Sequence, residues 1–463
     1  MAEAATRVLL ITVDSLRADA LGLYGASEPT PVLDGLGAEA VVFEQAFATG
    51  PHTTQSFPGI LASNYPTTGG TVQNLAGRRS VAEVFQSAGR PTAGFHSNPL
   101  LSRSRGYGRG FDVFWDSLPE GGSPTGAVPR AVDRLGRLAA RHCAPLFRLA
   151  RRGYRAAARR VRHVELPHEP AERLNERALE WLPGAGPCWF LWLHYMDPHW
   201  PYATRLPGLS ESERAEAMRL SDRALRHPDR LNADDCERLR GYYRAEVGYL
   251  DRCLGALFDA LRARGLWADT AVFFTADHGQ AFGEHGRTFH GDVLYDELLR
   301  VPLIVRVPGI RPARRPGVAS LIDLAPAMCE AAGLAAPAEF EGRSLLAAQR
   351  EAAFAETAYR LFVSERPKRA AVRTPEWKLL VDYEGGAEEL YHVALDPGEL
   401  RNEAAGHAQE AERLRVLLEA HRRRTRAAAS GPCGRSAADG EAVKARLRAL
   451  GYMDEADGPG AGG

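Results

Sequence analysis

The sequence predicts an α/β fold, in which a large, mixed but mostly parallel sheet is flanked by helices and followed by a small C-terminal α+β subdomain. Three short apolar runs, residues 8–13, 188–193 and 271–274, are typical of buried strands in such a sheet. Residues 236–264 carry apolar side chains at intervals of three and four, which is the pattern of a helix that packs on a sheet. Polar side chains follow each apolar run, and in an open α/β sheet ligands bind beyond the carboxyl ends of the strands. We therefore expect the chemistry at those strand ends.

Composition limits the classes of function. The chain has 463 residues, of which 25% are charged and 45% hydrophobic, as is usual for a globular protein. Its formal net charge of +0 gives no general attraction to nucleic acid or to a membrane. The six cysteines are scattered without a CxxC pair, which favours a reducing compartment and argues against a zinc site. The first apolar run is too short for a signal peptide, and no stretch approaches the roughly 20 apolar residues of a membrane span. We therefore expect a cytoplasmic protein that does not bind nucleic acid.

Candidate metal ligands lie just after two of the predicted strands. Asp277 and His278 follow the run at 271–274, and Asp14 follows the run at 8–13. Carboxylate and imidazole groups are suitable ligands for a divalent cation. Alternative interpretations are a helix N-cap for Asp14 and a polar turn for the Asp-His pair. Taken together, the three residues favour a metal site.

Hydroxyl side chains stand before a short helix that the sequence predicts from Ser56 onward, with Pro58 tolerated in its first turn. Thr53 and Thr54 therefore lie at or just before a helix N-terminus, where free N–H groups and the helix dipole attract a sulfate or phosphate. A hydroxyl that contacts a metal there can act as a nucleophile, because the metal lowers its pKa. A threonine N-cap without a chemical role is the alternative.

Six motifs extend these local patterns along the chain. They are LLITVDSLRADALGLYG, GPHTTQSFPGILAS, LHYMDPHWPY, FFTADHGQAFGEHG, HGDVLYDELLRVPLIVRVPG and LYHVALDPGELRN. In their order and spacing, residues 7–420 resemble the sulfatase-like branch of the alkaline phosphatase superfamily. The resemblance implies an alkaline-phosphatase-like sandwich and hydrolysis of a sulfate or phosphate ester of a small molecule or glycan. It also implies one divalent metal ion, either Ca²⁺, Mg²⁺ or Mn²⁺.

Departures from the family pattern bear on the mechanism. Typical sulfatases carry a Cys-x-Pro-Ser-Arg motif whose cysteine or serine becomes formylglycine. Ser56 matches the serine of that motif, so the nucleophile position falls on Thr53, and Phe57 replaces the arginine. Threonine cannot become formylglycine, so we predict no formylglycine and a covalent sulfo- or phospho-threonine intermediate. Ser15 stands where the family usually has a second acid.

The resemblance also assigns roles to individual residues. The expected metal ligands are Asp14, Thr53, Asp277 and His278. With Thr53 as nucleophile, His199 and His290 are expected to contact the sulfuryl or phosphoryl oxygens or to assist departure of the leaving group. Asn98 and Arg17 are expected to bind substrate as well. His194 is interpreted as a buried histidine that satisfies loop carbonyls.

Several alternatives remain open at this point. The same site would suit a phosphodiester or phosphonate hydrolase, or a transferase that passes the group to an acceptor other than water. A degenerate protein that only binds an anion would fit the missing arginine and the missing acid. Asp197, His199 and His290 could form a second metal site, but we favour one metal because Ser15 removes an acid.

The predicted domain organisation has three parts. Residues 1–348 form the catalytic domain, 349–428 the C-terminal α+β subdomain, and 429–463 a linker, a short helix and a flexible tail. Residues 129–170 are an arginine-rich helical insertion in the catalytic domain. Such a helix can contact an anionic membrane, although a solvated insertion near the site is the favoured interpretation. The oligomeric state is not predicted.

Overall fold

An eight-stranded sheet forms the centre of the protein. The computed structural model describes residues 7–68, 75, 77–118, 168–202, 206, 208–347, 350–357 and 367–427. The strands of this sheet are β1 (Arg7–Val13), β2 (Val41–Phe47), β3 (Thr92–His96), β4 (Val113–Trp115), β5 (Trp189–Tyr195), β6 (Thr270–Ala276), β9 (Arg300–Arg306) and β10 (Ala313–Ser320). Between β6 and β9, β7 (Ala281–Phe282) and β8 (Thr288–Phe289) pair as a separate hairpin.

The sheet is mixed but mostly parallel, as the sequence predicts. Its strand order is β10-β2-β9-β6-β1-β5-β3-β4, and β9 alone among these strands runs antiparallel to its neighbours. In the centre, Val13 of β1 lies opposite Tyr195 of β5 and Ala276 of β6. Because these three parallel strands end at the same level, the residues that follow them meet at one edge of the sheet.

Helices flank the sheet in two groups. The helices of the described part of the chain are α1 (Pro31–Ala38), α2 (Thr53–Ala62), α3 (Val81–Ser87), α4 (Ala171–Trp181), α5 (Glu211–Arg226), α6 (Ala233–Ala263), α7 (Asp296–Leu299), α8 (Leu324–Ala331) and α9 (Ala408–Ala427). Helices α1, α4 and α5 contact α6, whereas α2, α3 and α8 contact one another. Helices α3 and α4, one from each group, both pack against β3 and β5, so the two groups cover both faces of the sheet.

The longest helix, α6, confirms the periodic pattern seen in the sequence. The six apolar residues that define the pattern are all buried: Tyr243, Val247, Leu250, Leu254, Leu257 and Leu261. The helix begins three residues before the predicted start because Asn232 caps it, accepting from the backbone N–H of Asp235 at 2.8 Å. Before α8, the chain forms a 3-10 turn at Leu321–Asp323.

A second, four-stranded antiparallel sheet lies toward the C-terminus, where the sequence predicts an α+β subdomain. Its strands are β11 (Ala353–Thr357), β12 (Arg369–Arg373), β13 (Lys378–Asp382) and β14 (Glu388–Tyr391), in that order. Helix α9 packs on this sheet through Leu414 and Leu418, which share an apolar cluster with Val372, Leu379 and Leu390. All the described residues except Leu118 belong to one compact unit.

The domain boundaries at 348 and 428 remain predictions. The insertion at 129–170 up to residue 167 and the segment at 429–463 lie outside the described residues. Within the described part of the chain, the helices are too short or too polar to cross a membrane.

Candidate active site

Three buried residues from two adjacent strand ends form the centre of the site. Asp14 follows β1, and Asp277 and His278 follow β6. The backbone N–H of Asp14 donates to Tyr195 O at 2.8 Å, and that of Asp277 donates to Val13 O at 3.2 Å. These bonds continue the ladder by one residue past the strands and hold both carboxylates at the same level. All three side chains are 0% exposed.

The ligand atoms of these residues converge as a metal site requires. His278 Nε2 lies 3.7 Å from Asp14 Oδ1 and 3.6 Å from Asp277 Oδ2. One ligand atom from each residue falls within 4.8 Å of the others. Within the described residues, Asp277 Oδ2 and His278 Nε2 are buried without a hydrogen-bond partner. Buried polar atoms are rarely left in this state, and a cation bound among them would satisfy both.

The backbone sets the orientation of the His278 ring. Its Nδ1 lies 2.9 Å from the carbonyl oxygen of Gly279, so Nδ1 donates and the lone pair of Nε2 faces the carboxylates. Burial lowers the pKa of His278 to about 4, which keeps the imidazole neutral, as a metal ligand must be. Gly279 is needed here because a Cβ would lie only 2.1 Å from Glu297 O.

The two carboxylates influence each other's ionisation. Burial and the adjacent charge of Asp14 raise the pKa of Asp277 well above its usual range. Burial would also raise the pKa of Asp14, but the imidazoles of His199, His194 and His278 outweigh it and hold that pKa well below its usual range. Without a cation, Asp14 therefore stays ionised while Asp277 tends to keep its proton. A divalent cation would stabilise both as carboxylates.

Ser15 supports both carboxylates from the position where the family usually has a second acid. Its hydroxyl donates to Asp14 Oδ1 at 2.8 Å, and its backbone N–H donates to Asp277 Oδ1 at 3.2 Å. The residue has a φ of 60°, and a serine in this left-handed region is uncommon. The conformation directs both donors at the candidate metal site.

Thr53 begins α2, directly beside the metal cluster. Its Oγ1 lies 3.5 Å from Asp14 Oδ2, and His52 occupies the N-cap position before it. The helix therefore starts three residues before the predicted start at Ser56, and the whole of α2 is buried. Ser56 has a structural role, because its hydroxyl donates to Gly50 O at 2.8 Å.

A group of four histidines, His52, His199, His278 and His290, surrounds this space. The ring of His290 is the central one, with centroids 4.6 Å from His278, 5.1 Å from His52 and 5.4 Å from His199. Burial and the three neighbouring imidazoles lower the pKa of His290 well below its usual range. The lowered pKa values of His278 and His290 thus place neutral imidazoles next to the metal cluster and the start of α2.

Two residues assigned to substrate have other partners. Asn98 follows β3, and its Nδ2 donates to Asp14 Oδ2 at 2.8 Å, so it supports a metal ligand. The guanidinium of Arg17 contacts Asp19 at 2.6 Å and Glu284 at 2.7 Å and is largely buried between them. Both carboxylates lie within ion-pair distance of the guanidinium, so the protein itself balances the charge of Arg17, and its assignment to substrate stays a prediction. Both side chains support the site's framework.

The structure also adds residues that sequence reasoning missed. His194 Nε2 lies 3.6 Å from Asp14 Oδ2, so this histidine faces the site rather than loop carbonyls. The signal was available, because His194 directly follows the apolar run at 188–193, and in the structure it pairs with Thr12, two residues before Asp14. His52 is a second such residue, and its position directly before Thr53 in the sequence is the signal for it.

Asp197 lies apart from this arrangement. Its Oδ1 accepts from the backbone N–H of Ala171 at 3.1 Å, at the start of α4. Among the described residues, Asp14, Asp277 and His278 are the group whose ligand atoms converge for a metal. The choice of one metal over two remains a prediction.

Comparison with known proteins identifies the family. The sulfatase family matches residues 6–334, and the C-terminal region of N-sulphoglucosamine sulphohydrolase matches residues 283–425. The chain belongs to the sulfatase family. This confirms the resemblance drawn from the six motifs. Members of the family typically bind a divalent metal ion, which agrees with the carboxylate and imidazole cluster.

Individual relatives match only part of this chain and share a modest sequence identity with it. Mouse (Mus musculus) arylsulfatase K is 31% identical over 187 residues, covering 37% of this chain and 34% of that protein. The chain thus matches about a third of the length of the curated arylsulfatase K relatives.

Among solved structures, the phosphonate monoester hydrolase of Agrobacterium radiobacter has a TM-score of 0.67 and 22% identity, covering 91% of this chain and 96% of that chain. A 2-O GAG sulfatase has a TM-score of 0.67 and 20% identity, covering 99% of both chains. These likenesses confirm the predicted sandwich fold.

Proposed function

We propose that this sulfatase-family protein is a metal-dependent hydrolase of sulfate or phosphate esters that acts through a covalent threonine intermediate. Family membership favours sulfate esters. The observation that carries the proposal is the position of Thr53 Oγ1, 3.5 Å from Asp14 Oδ2 and at the N-terminus of a buried helix. A nucleophile there attacks a group whose negative oxygens face free backbone N–H groups.

In this proposal, one divalent cation is held by Asp14, Asp277, His278 and the hydroxyl of Thr53. Three oxygen donors and one imidazole suit Ca²⁺, Mg²⁺ or Mn²⁺. When bound, the cation supplies Lewis-acid chemistry that lowers the pKa of the hydroxyl and offsets the charge of the ester. Asn98, Ser15 and His194 orient Asp14 by contacts to its two oxygens.

The first step forms a sulfated or phosphorylated threonine. Thr53 Oγ1 attacks the sulfur or phosphorus, a bond to Oγ1 forms, and the bond to the ester oxygen of the organic group breaks. The hydroxyl proton of Thr53 moves to the carboxylate that it faces. The leaving oxygen takes up a proton and departs as an alcohol. Because Thr53 is a threonine, no formylglycine takes part.

His199 is suited to protonate the leaving group. Its Nδ1 lies 2.7 Å from Trp200 O, a carbonyl that can only accept, so Nδ1 carries a proton. The other nitrogen, Nε2, is therefore a donor only in the imidazolium form, which can release its proton to the leaving oxygen.

His290 is suited to the second step. Its Nδ1 lies 3.3 Å from Gln280 Oε1, while Gln280 Nε2 donates to the Tyr202 hydroxyl at 2.6 Å and so fixes the amide orientation. Because Nδ1 donates to the amide oxygen, Nε2 of the neutral ring can accept a proton from water. Water then attacks the covalent intermediate, the bond to Oγ1 breaks, Thr53 regains its proton, and sulfate or phosphate leaves.

The organic part of the substrate is proposed from relatives. A structural neighbour is named as a 2-O GAG sulfatase, which supports a sulfated glycan. Another is named as a phosphonate monoester hydrolase, which keeps phosphonate esters and phosphodiesters as the second candidate.

The proposal is tested by assaying the purified protein with aryl sulfate, phosphate monoester, phosphodiester and phosphonate substrates in the presence of each of the three cations. We expect turnover of the aryl sulfate and a mass increase on the peptide that contains Thr53 after rapid acid quenching. An alcohol added as acceptor separates hydrolysis from group transfer, because a transferase would form a new ester. Bound metal without turnover of any ester would instead indicate a degenerate anion-binding protein.

A further inference from the structure

A cavity of about 300 Å³ opens beside the histidine group, and apart from His290 its lining residues have no role in the chemistry proposed above. Its walls include Pro228, Arg287, Phe289, His290, Val293 and Leu298. Phe289, Val293 and Leu298 are buried apolar residues, so most of the wall is suited to a hydrocarbon surface. We call this space the Arg287 cavity.

His290 joins the cavity to the candidate active site. Its ring lines the cavity and also lies 4.6 Å from the ring of the candidate metal ligand His278. An ester whose sulfuryl or phosphoryl group is at Thr53 therefore has the Arg287 cavity within reach of its organic part, on the far side of His290.

Arg287 is the cation of this cavity, and its charge is not neutralised locally. Within the described part of the chain, Arg287 has no ion pair. The nearest acid along the chain, Glu284, is engaged by Arg17 at 2.7 Å and by Arg240 at 2.9 Å. Glu284 also accepts from the backbone N–H of Phe282 at 2.5 Å, so its oxygens are occupied.

The backbone around Arg287 is well defined. Its carbonyl accepts from Gly283 N–H at 2.6 Å, and its own N–H donates to Glu284 O at 2.9 Å, which closes the turn between β7 and β8. The next residue, Thr288, donates through its hydroxyl to Ala224 O of α5 at 3.1 Å. Arg287 thus lines the cavity from a hairpin whose turn and second strand are both held by hydrogen bonds.

We propose that the Arg287 cavity binds the organic part of the substrate and selects one that carries a second anionic group, a carboxylate in the first instance. A guanidinium binds a carboxylate through two parallel hydrogen bonds, and the apolar wall covers the ring that bears it. The inference rests on the proposed function, because that function makes the occupant a part of the ester.

Equilibrium binding tests this site without turnover. The probes are 3-hydroxybenzoate and its neutral analogue 3-hydroxybenzamide, titrated by calorimetry into the full-length protein. We expect the carboxylate to bind the wild-type protein about tenfold more tightly than the amide. Arg287→Gln should remove this difference and Arg287→Lys should restore part of it.

Arg311→Gln is the matched control, because Arg311 is also exposed and does not line the cavity. Equal affinity of the two probes for the wild-type protein would overturn the inference, as would a preference that survives in Arg287→Gln. In parallel, kcat/KM is measured for the sulfate esters of both probes. A binding preference with no turnover of either ester would refute the proposed function while leaving the anion site intact.

Discussion

His52 Nε2 lies 3.5 Å from Asp292 Oδ1, while the ring of His52 lies 5.1 Å from that of His290. The backbone carbonyl of Asp292 accepts in turn from the guanidinium of Arg369, which belongs to β12 of the C-terminal sheet. The residue before the candidate nucleophile is thus linked through Asp292 to a strand of the second sheet. The C-terminal sheet thereby helps to position the candidate site.

This relationship predicts that Asp292 is a positioning residue. Asp292→Asn should lower kcat by about tenfold or more, because His52 loses the carboxylate that orients it, while KM and Tm change little. Steady-state kinetics and thermal unfolding measure these quantities. Asp259→Asn, which alters an exposed carboxylate on α6, is the control. An unchanged kcat in Asp292→Asn would show that the contact is unimportant.

Removal of one metal ligand should abolish metal binding without unfolding the chain. Asp277→Asn keeps the size of the side chain but removes a charged oxygen, so we expect bound divalent metal to fall from about one per chain to near zero, with loss of activity. Elemental analysis of the purified protein gives the metal content. Chelation should lower the Tm of the wild-type protein and leave that of Asp277→Asn unchanged.

Asp251→Asn is the control for this experiment, since Asp251 is equally buried but accepts from the backbone of α1. It should lose stability yet keep its metal. Full metal occupancy in Asp277→Asn would contradict the ligand assignment, and two equivalents of metal in the wild-type protein would contradict a single site.

Three hydroxyls near the start of α2 can be distinguished by alanine substitution. Thr53→Ala should lower kcat by several orders of magnitude, because it removes the proposed nucleophile. Thr54→Ala should keep most activity, since one residue along a helix turns the side chain by about 100°. Ser56→Ala should fall between them, because its hydroxyl bonds to Gly50 O and supports the turn. Near-native activity in Thr53→Ala with loss in Thr54→Ala would reverse the assignment.

A pH-dependent effect on stability is expected at Glu399. This buried carboxyl lies 2.7 Å from Lys378 Nζ, and burial raises its pKa to about 7 despite the lysine. Since the pKa in the folded state exceeds that of the unfolded chain, the stability contributed by the protonated form is present below about pH 4.5 and is lost as pH rises toward 7.

Glu399→Gln cannot ionise and should escape this loss. The free energy of unfolding of the variant minus that of the wild-type protein should therefore increase between pH 5 and pH 8, as measured by denaturant titration at several pH values. Glu384→Gln, at an exposed carboxylate, is the control and should give no such trend. A difference that is constant with pH would show that Glu399 has an ordinary pKa.

The order of the motifs and the apolar periodicity were enough to predict the mixed, mostly parallel sheet, the mixture of helix and strand toward the C-terminus, and helix α6. They also predicted that Asp14, Asp277 and His278 are candidate metal ligands, because these residues directly follow apolar strands. Such features are local, because the apolar pattern of a segment indicates whether it is buried and the sequence shows which residue follows it.

Partners that are distant in sequence were decided only by the tertiary structure. Asn98 contacts Asp14 across 84 positions of the chain, and the sequence suggested substrate instead. Arg17 pairs with Glu284 across 267 positions, which occupies a cation that the sequence left free for substrate. Strand order and the paths of the loops determine which side chains meet, and no local pattern reports either of them. The sequence therefore determined which residues stand at the strand ends, whereas the packing of the sheet and its loops decided which of them support the site and which face the space at its centre.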